Sequence, residues 1–369
     1  MQVSQLYGKH HSNSPHKQIY VYPIKSMRPT TLTSAKLTCN GLPYDRTFML
    51  LKVKPDGQLQ NMHIDKFPKL SLFLTDIEFP SSHQTNGENT NGDVEQDDKG
   101  WITVTYKNSA GPHPEAGVGN TLRIPLKPET SNLKQFEVMM HRSPTTAYDM
   151  GVEYSSWFSA WLGFKIVFAY IGEHRRLALG NFASTDTNGG WMSAISSMVP
   201  IPGLARTNDA SKVLTFADMA PYLVVSQTSV DNVSSRLPPD EPMDITKFRP
   251  NIVLAGAPTA FDEDYWAELV IGEDVEVQLR NNCVRCMSLN VDFDTGAPHK
   301  GESGTVLKKL MKDRRVDKGS KYSPVFGRYG FLHREKGASE PVIRVGDAVK
   351  VSKVNAERTT LGEFPVYLS

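Results

Sequence analysis

Apolar and polar residues alternate along much of this 369-residue chain, the pattern of strands that bury one face. The alternation is strictest in Trp101-Ile102-Thr103-Val104-Thr105-Tyr106. Strands are also predicted at Ile19–Lys25, Leu37–Cys39, Thr47–Val53 and Leu70–Leu74, and short strands so closely spaced point to a barrel or sandwich. Residues 81–99 carry Val94 as their one aliphatic side chain and predict a disordered insertion in a hairpin.

The period then changes. Tyr154, Trp157, Phe158, Trp161 and Leu162 recur at i, i+3, i+4, i+7 and i+8, which makes one apolar helix face, and Gly163 supplies the stop. Strand returns at Ile166–Tyr170. From Gly180 to Lys212 the chain is rich in Gly, Ser, Asn, Thr and Pro without a sustained period, predicting a long mobile loop or lid. A second block begins at Val213. Pro221–Val225 and Asn251–Gly256 read as strands, with a short helix between them carrying Val230, Val233 and Leu237. Val275, Val277 and Leu279 alternate, as do Met287, Leu289, Val291 and Phe293, so Cys283-Val284-Arg285-Cys286 is predicted to connect two strands. A helix at Ser303–Lys312 and strands at Phe326–Leu332 and Val342–Val351 complete the block. The expectation is an α+β chain of two β-barrel-like units rich in antiparallel sheet, with few helices at their edges. Its divisions are a flexible leader at 1–18, a first unit at 19–140, a connector at 141–212, a second unit at 213–355 and a tail at 356–369.

Composition narrows the chemistry. At 39% hydrophobic and 22% charged, the chain is an ordinary globular protein. A formal net charge of +1 gives no bulk field for nucleic acid or acidic membranes, so an anion has to be held by a local group of basic residues. Three cysteines (Cys39, Cys283 and Cys286) cannot pair into a secreted disulfide framework, and an odd count suits a reducing compartment, placing the chain in the cytoplasm. No apolar run reaches the roughly 18 residues a membrane-spanning helix needs. The leader, with Lys and His but no Arg and no acid, leaves organellar targeting as an alternative.

Two of the three cysteines stand in Arg280-Asn281-Asn282-Cys283-Val284-Arg285-Cys286. Thiolates beside fixed positive charge are soft metal ligands or reactive nucleophiles. A redox Cys-x-x-Cys at a helix start conflicts with the strand pattern after Cys286, and zinc wants four ligands where Cys39, His299 and His333 stand apart. Two buried cysteines acting as small hydrophobes stay open as the plain alternative. A further reading is one thiolate on a soft metal already held by an organic, phosphate-bearing cofactor, which would require isolated basic residues at strand ends. Lys25 with Ser26, Arg46 before Thr47, and Arg249 before Pro250 are such positions, and Pro250 stiffens the backbone of the last.

These motifs in this order resemble a known family. Tyr22-Pro23-Ile24-Lys25-Ser26, Asp45-Arg46, Phe248-Arg249-Pro250-Asn251, Cys283-Val284-Arg285-Cys286 with Asp292-Phe293-Asp294-Thr295-Gly296, and Ser323-Pro324-Val325-Phe326-Gly327-Arg328-Tyr329 are similar to the MOSC proteins, in the arrangement of the mitochondrial amidoxime-reducing group. The resemblance runs from about Ile19 over nearly the whole chain. It implies a MOSC N-terminal β-barrel followed by a MOSC domain, and a molybdenum-pyranopterin cofactor with Cys286 as the protein's metal ligand. It implies that Lys25, Ser26, Arg46, Asp218, Arg249, Val284, Arg285 and Tyr329 form the cofactor pocket, with Cys286 and Arg285 at the chemistry and Arg280 and Arg285 supporting the thiolate. The implied activity is reduction of small N-hydroxylated substrates, with electrons from a separate heme or flavin protein of the cytochrome b5 type and its reductase, and mitochondrial association. Iron–sulfur clusters normally take four cysteines, so this chain is not expected to carry its own. Two departures stand out: Met219 and Ala220 replace hydroxyl residues after Asp218, and Phe293 replaces a proline. The alternatives are a cofactor or sulfur carrier with a persulfide on Cys286, and a non-catalytic module with a structural CVRC segment.

Overall fold

The computed structural model describes residues 18–80, 100–107, 119–178, 213–334 and 337–361. The insertion expected at 81–99, the leader before residue 18 and the loop expected at 180–212 lie outside the described residues. Among the described residues strands dominate, and α-helix is confined to Val152–Leu162, Gln227–Ser234 and Val306–Met311. The β-rich α+β class expected from the sequence holds.

The largest sheet has eight strands, in the order Thr30–Leu32, Gln18–Val21, Ile252–Leu254, Tyr222–Ser226, Val325–Leu332, Val275–Val284, Trp266–Ile271 and Val349–Val354. Only Tyr222–Ser226 and Ile252–Leu254 run parallel in it, linked through the helix Gln227–Ser234. Its first two strands come from the start of the chain, so the N-terminal segment is woven into a sheet made otherwise of later residues. A five-stranded antiparallel sheet (Leu59–Asn61, Phe48–Val53, Ile166–Tyr170, Ser143–Asp149, Gln135–Met140) and a three-stranded one (Phe73–Glu78, Trp101–Tyr106, Thr121–Pro125) form the rest of the N-terminal half.

The helix Val152–Leu162 ties these two sheets together as its apolar face requires. Trp157, Phe158, Trp161 and Leu162 are buried, and Gly163 ends the helix at φ 81°, a left-handed cap. Phe158 meets Phe73 of the three-stranded sheet and Phe168 of the five-stranded sheet, while Trp161 stacks on Tyr106 with centroids 4.3 Å apart.

Four expected strands change. Pro68 starts a 3₁₀ turn over Pro68–Leu72, where its fixed φ and missing N–H fit a first helical position, and the strand begins only at Phe73. In place of Leu37–Cys39 the strand is Ser34–Lys36, after which Thr38 bridges back to Gly41. Val342–Val351 divides at Gly346, whose φ of 101° breaks the extended run into Val342–Arg344 and Val349–Val354. The fourth change, after Cys286, is described with the site.

Beneath the eight-stranded sheet lies a buried ionic group. Asp264 accepts both its hydrogen bonds to Arg314 at 2.7 and 2.8 Å and one from Arg358 at 2.8 Å. Its neighbour Glu263 is fully buried; one carboxyl oxygen accepts Ser229 Oγ at 2.7 Å, and the other has no partner among the described residues. Burial pushes the Glu263 carboxyl up to about 7. An unfolded glutamate titrates near ~4.3, so the folded chain holds an extra proton between those values and loses stability as pH rises through that window. Glu263→Gln should therefore withstand more denaturant than wild type at pH 8, by up to about 3 kcal/mol, and differ little at pH 5. Chemical denaturation at the two pH values checks this, and an equal offset at both would assign the effect to packing instead of charge.

Candidate functional site

The segment Tyr22–Ser26 leaves the eight-stranded sheet and crosses onto the five-stranded one. Lys25 N–H donates to Phe48 O at 2.8 Å, Phe48 N–H to Pro23 O at 3.1 Å, and Arg46 N–H to Tyr22 O at 2.7 Å. Lys25, Ser26 and Arg46 are thereby fixed at the seam between sheets, and all three are buried. Ser26, Arg46 and Arg249 sit at φ 68°, 51° and 56°, in the left-handed region that side chains resist. Such backbone is kept where surrounding contacts impose it, commonly at functional sites.

The basic residues singled out from the sequence come together here. Tyr22, fully buried, lies between two guanidinium groups, with Arg46 4.6 Å and Arg249 4.4 Å from its ring centre. The negative ring face lets two cations share a small volume. Arg46 donates to Asp45, to Asn251 Oδ1 at 3.2 Å and to Arg249 O at 3.2 Å. Arg249 donates to Met27 O at 2.7 Å, while its buried Nη2 has no partner among the described residues. Burial pulls the Arg249 guanidinium down to about 10, so it remains charged at neutral pH.

Lys25 donates to Asp218 and, at 3.1 Å, to Phe216 O. Burial lowers the Lys25 ammonium from its ordinary value, with Asp218 working against the shift. Burial would raise the Asp218 carboxyl, but Lys25 and His141 outweigh it and hold the group well below the usual carboxylate range. Arg176, also buried, donates to Thr215 O at 3.1 Å and to the carbonyls of Ala217 and Asp218, and so pins the segment that presents Asp218. Lys25, Arg46, Arg176 and Arg249 thus face two carboxylates, Asp45 and Asp218, leaving positive charge in excess. Ser26 spends its hydroxyl on Met62 O at 3.0 Å, which leaves its backbone as the group it can offer a ligand.

The CVRC segment adjoins this group. Val275–Val284 is one ten-residue strand, irregular in register between Leu279 and Asn281 and between Asn282 and Val284. Contrary to the sequence expectation, no strand follows directly: Met287–Asn290 is a 3₁₀ turn with Cys286 at its cap, and only Val291–Asp292 is extended again. Leu289 is buried by the turn while Met287 is 56% exposed, so the apolar alternation reflects packing of a turn. The two cysteines are unequal, Cys283 buried and Cys286 exposed. Burial raises the Cys283 thiol.

The Arg285 charge works against the burial that raises the Cys283 thiol, and its hydrogen bonds add a structural part. Its guanidinium donates to Phe326 O at 3.0 and 2.7 Å and to Phe248 O at 2.8 Å, so it lies beneath the surface and braces the turn. Because Phe248 precedes Arg249 and Arg285 precedes Cys286, this brace fixes the spacing between cation cluster and thiol. Arg280 donates to Gln278 Oε1 at 2.9 Å and stacks 5.0 Å from the Phe331 ring centre. Val284 pairs with Val325, and Tyr329 pairs with Leu223 and Asn281 on the neighbouring strands. Met219 and Ala220 pack with Leu214, Phe331 and Tyr329, so the wall after Asp218 is apolar. Phe293 is buried under Arg28 at 4.6 Å and Lys247 at 5.5 Å.

Sequence reasoning missed Tyr22, Asn251, Arg176 and His141 as parts of this site. Asn251 and Tyr22 stand inside quoted motifs, but their work is visible only across the seam. Arg176 reads as a surface arginine, because its partners are carbonyls some forty residues away. His141 lies at a hairpin tip and reaches Asp218 at 3.1 Å.

The donor set suits a multiply anionic group bearing a soft metal: surplus cations, an unpartnered buried Arg249 Nη2, and an exposed thiol close by. Comparison with known proteins agrees. Residues 16–165 match the MOSC N-terminal beta barrel domain and residues 211–350 the MOSC domain. Mitochondrial amidoxime-reducing component 1 of Mus musculus is 26% identical over 90% of this chain and 80% of its own length. Mitochondrial amidoxime reducing component 2 of Macaca fascicularis is 27% identical over 90% of this chain and 82% of its own. Molybdenum cofactor sulfurase of Arabidopsis thaliana is 25% identical over 81% of this chain and 31% of its own length. These relatives tie the chain to molybdenum-cofactor chemistry. No helix among the described residues is long and apolar enough to cross a membrane.

If the excess charge binds an anion through Arg249, cofactor-free Arg249→Asn, which tolerates the left-handed backbone, should bind pyrophosphate about tenfold more weakly, as expected for one lost charge-assisted hydrogen bond. Titration calorimetry measures it, and unchanged affinity would remove Arg249 from the anion site.

Proposed function

The chain belongs to the MOSC-domain proteins, and from that premise we propose that it is a molybdenum-dependent reductase that removes oxygen from small N-hydroxylated compounds. The observation that carries the proposal is the exposed Cys286 braced against a cation cluster whose charge its carboxylates do not fully compensate. Among the described residues no group of three His, Cys, Asp or Glu side chains is placed to hold a bare metal ion, so Cys286 suits a metal that brings its other ligands with it.

In this reading Lys25, Arg46 and Arg249 hold the phosphate of a molybdenum-pyranopterin, with the turns at Ser26 and Val284 offering backbone groups. Asp218 and Tyr329 line the remainder, and Cys286 is the protein ligand to the metal. Bound there, the cofactor would supply the two-electron oxygen-atom chemistry, with the N-bound oxygen leaving as water. The protein contributes placement. Arg285 keeps the Cys286 turn registered on the cation cluster, Arg176 holds the Asp218 segment, and Tyr22 keeps Arg46 and Arg249 apart but together. The apolar wall of Met219, Ala220 and Phe331 keeps water from one side of the pocket. Electrons would come singly from a heme or flavin protein, of the cytochrome b5 type by family resemblance, and Cys286 and Met287 are exposed where such a partner could approach. Mitochondrial association follows from the same resemblance.

The two cysteines separate this proposal from its rivals. Cys286→Ala should lose bound molybdenum and nearly all reduction of benzamidoxime, while Cys283→Ala keeps most of both; elemental analysis and an assay of benzamidine formation check this. Full metal in Cys286→Ala would refute the ligand assignment. Cyanide-labile sulfur on Cys286 without molybdenum would favour a sulfur carrier instead.

A further inference from the structure

The strands Gln135–Met140 and Ser143–Asp149 are joined by two residues, His141 and Arg142, with Met140 paired to Ser143. Both have positive φ, 47° and 64°, the geometry of a type I′ hairpin turn. That turn strongly prefers Asn-Gly, because side chains resist the left-handed region. Histidine and arginine are poor choices for the turn itself, so a demand from outside the hairpin has to account for them.

The tip meets the pocket. His141 Nε2 lies 3.1 Å from Oδ1 of Asp218, the oxygen that also accepts Lys25. The His63 ring stands beside it, centroids 6.2 Å apart, and burial with the nearby Lys25 charge lowers that imidazole. Met219 and Ala220, which follow Asp218, belong to an apolar cluster, so His141 is the polar side chain brought to this segment from the hairpin.

We propose that the hairpin tip is a wall of the cofactor pocket, in which His141 holds Asp218 in place and presents its imidazole to the cofactor beside Lys25. With Nε2 on Asp218, the second ring nitrogen, Nδ1, is left to hydrogen-bond the bound group. Arg142 shares the strained turn as the residue that lets His141 reach across. This inference rests on the cofactor reading above, and assigns a cofactor contact to a residue of the N-terminal half.

Two variants purified beside wild type test it through molybdenum and pterin content after dialysis and through melting temperature. His141→Asn/Arg142→Gly installs the preferred turn sequence and should melt at or above wild type, yet retain roughly tenfold less cofactor, the equivalent of one charge-assisted hydrogen bond. Arg142→Gly alone should also melt no lower and keep its cofactor. Full cofactor in the double variant overturns the inference and leaves the proposed function standing. Loss of cofactor in Arg142→Gly alone overturns the assignment to His141. Wild type devoid of pterin, from a host that makes the cofactor, overturns this inference and the proposed function together.

Discussion

An excess of positive charge held at a seam between sheets governs this structure. Lys25, Arg46 and Arg176 are buried and Arg249 half-buried, against the two carboxylates Asp45 and Asp218. Packing cations together away from water is costly unless partners are fixed around them. The chain meets the cost with a tyrosine ring that carries two guanidinium groups, with carbonyls from Arg249, Met27, Ala217 and Asp218, and with left-handed backbone at Arg46 and Arg249. What this framework leaves uncompensated, Arg249 Nη2 above all, is what a phosphate-bearing ligand would satisfy.

The thiol depends on the same framework. Arg285 contributes by bonding to Phe248 O and Phe326 O, which connects the turn carrying Cys286 to the loop carrying Arg249. Phe248 and Phe326, stacked 3.8 Å apart beneath it, stiffen the join. Removing the guanidinium would therefore loosen the turn that carries the thiol from the loop that carries the anion site. The asymmetry of Cys283 and Cys286, one in the strand and packed, the other beyond its end and open, follows from the same turn.

Much of this was legible in the sequence. Most strand positions, the helix Val152–Leu162 and its glycine stop followed from periodicity, because their apolar faces meet a core. Lys25, Arg46 and Arg249 could be picked because each stands alone beside a strand or a proline. What escaped was set by long-range partners. Met287, Leu289 and Val291 alternate as a strand would, yet a four-residue 3₁₀ turn buries Leu289 equally well. That Arg285 also braces the turn was hidden, because sequence adjacency cannot reveal carbonyl acceptors about forty residues away. Nor could it reveal that the start of the chain completes the later sheet, which is what carries Lys25 and Ser26 to the seam.

The central claim is that Cys286 closes the coordination of a molybdenum whose other sulfur ligands come from a pterin held by the cation cluster. X-ray absorption at the molybdenum edge of the native protein, repeated on Cys286→Ser, tests this most directly. The account predicts that the wild-type metal has the dithiolene sulfurs and one more, and that the variant loses one sulfur from whatever metal it retains. An unchanged sulfur count in Cys286→Ser would contradict it.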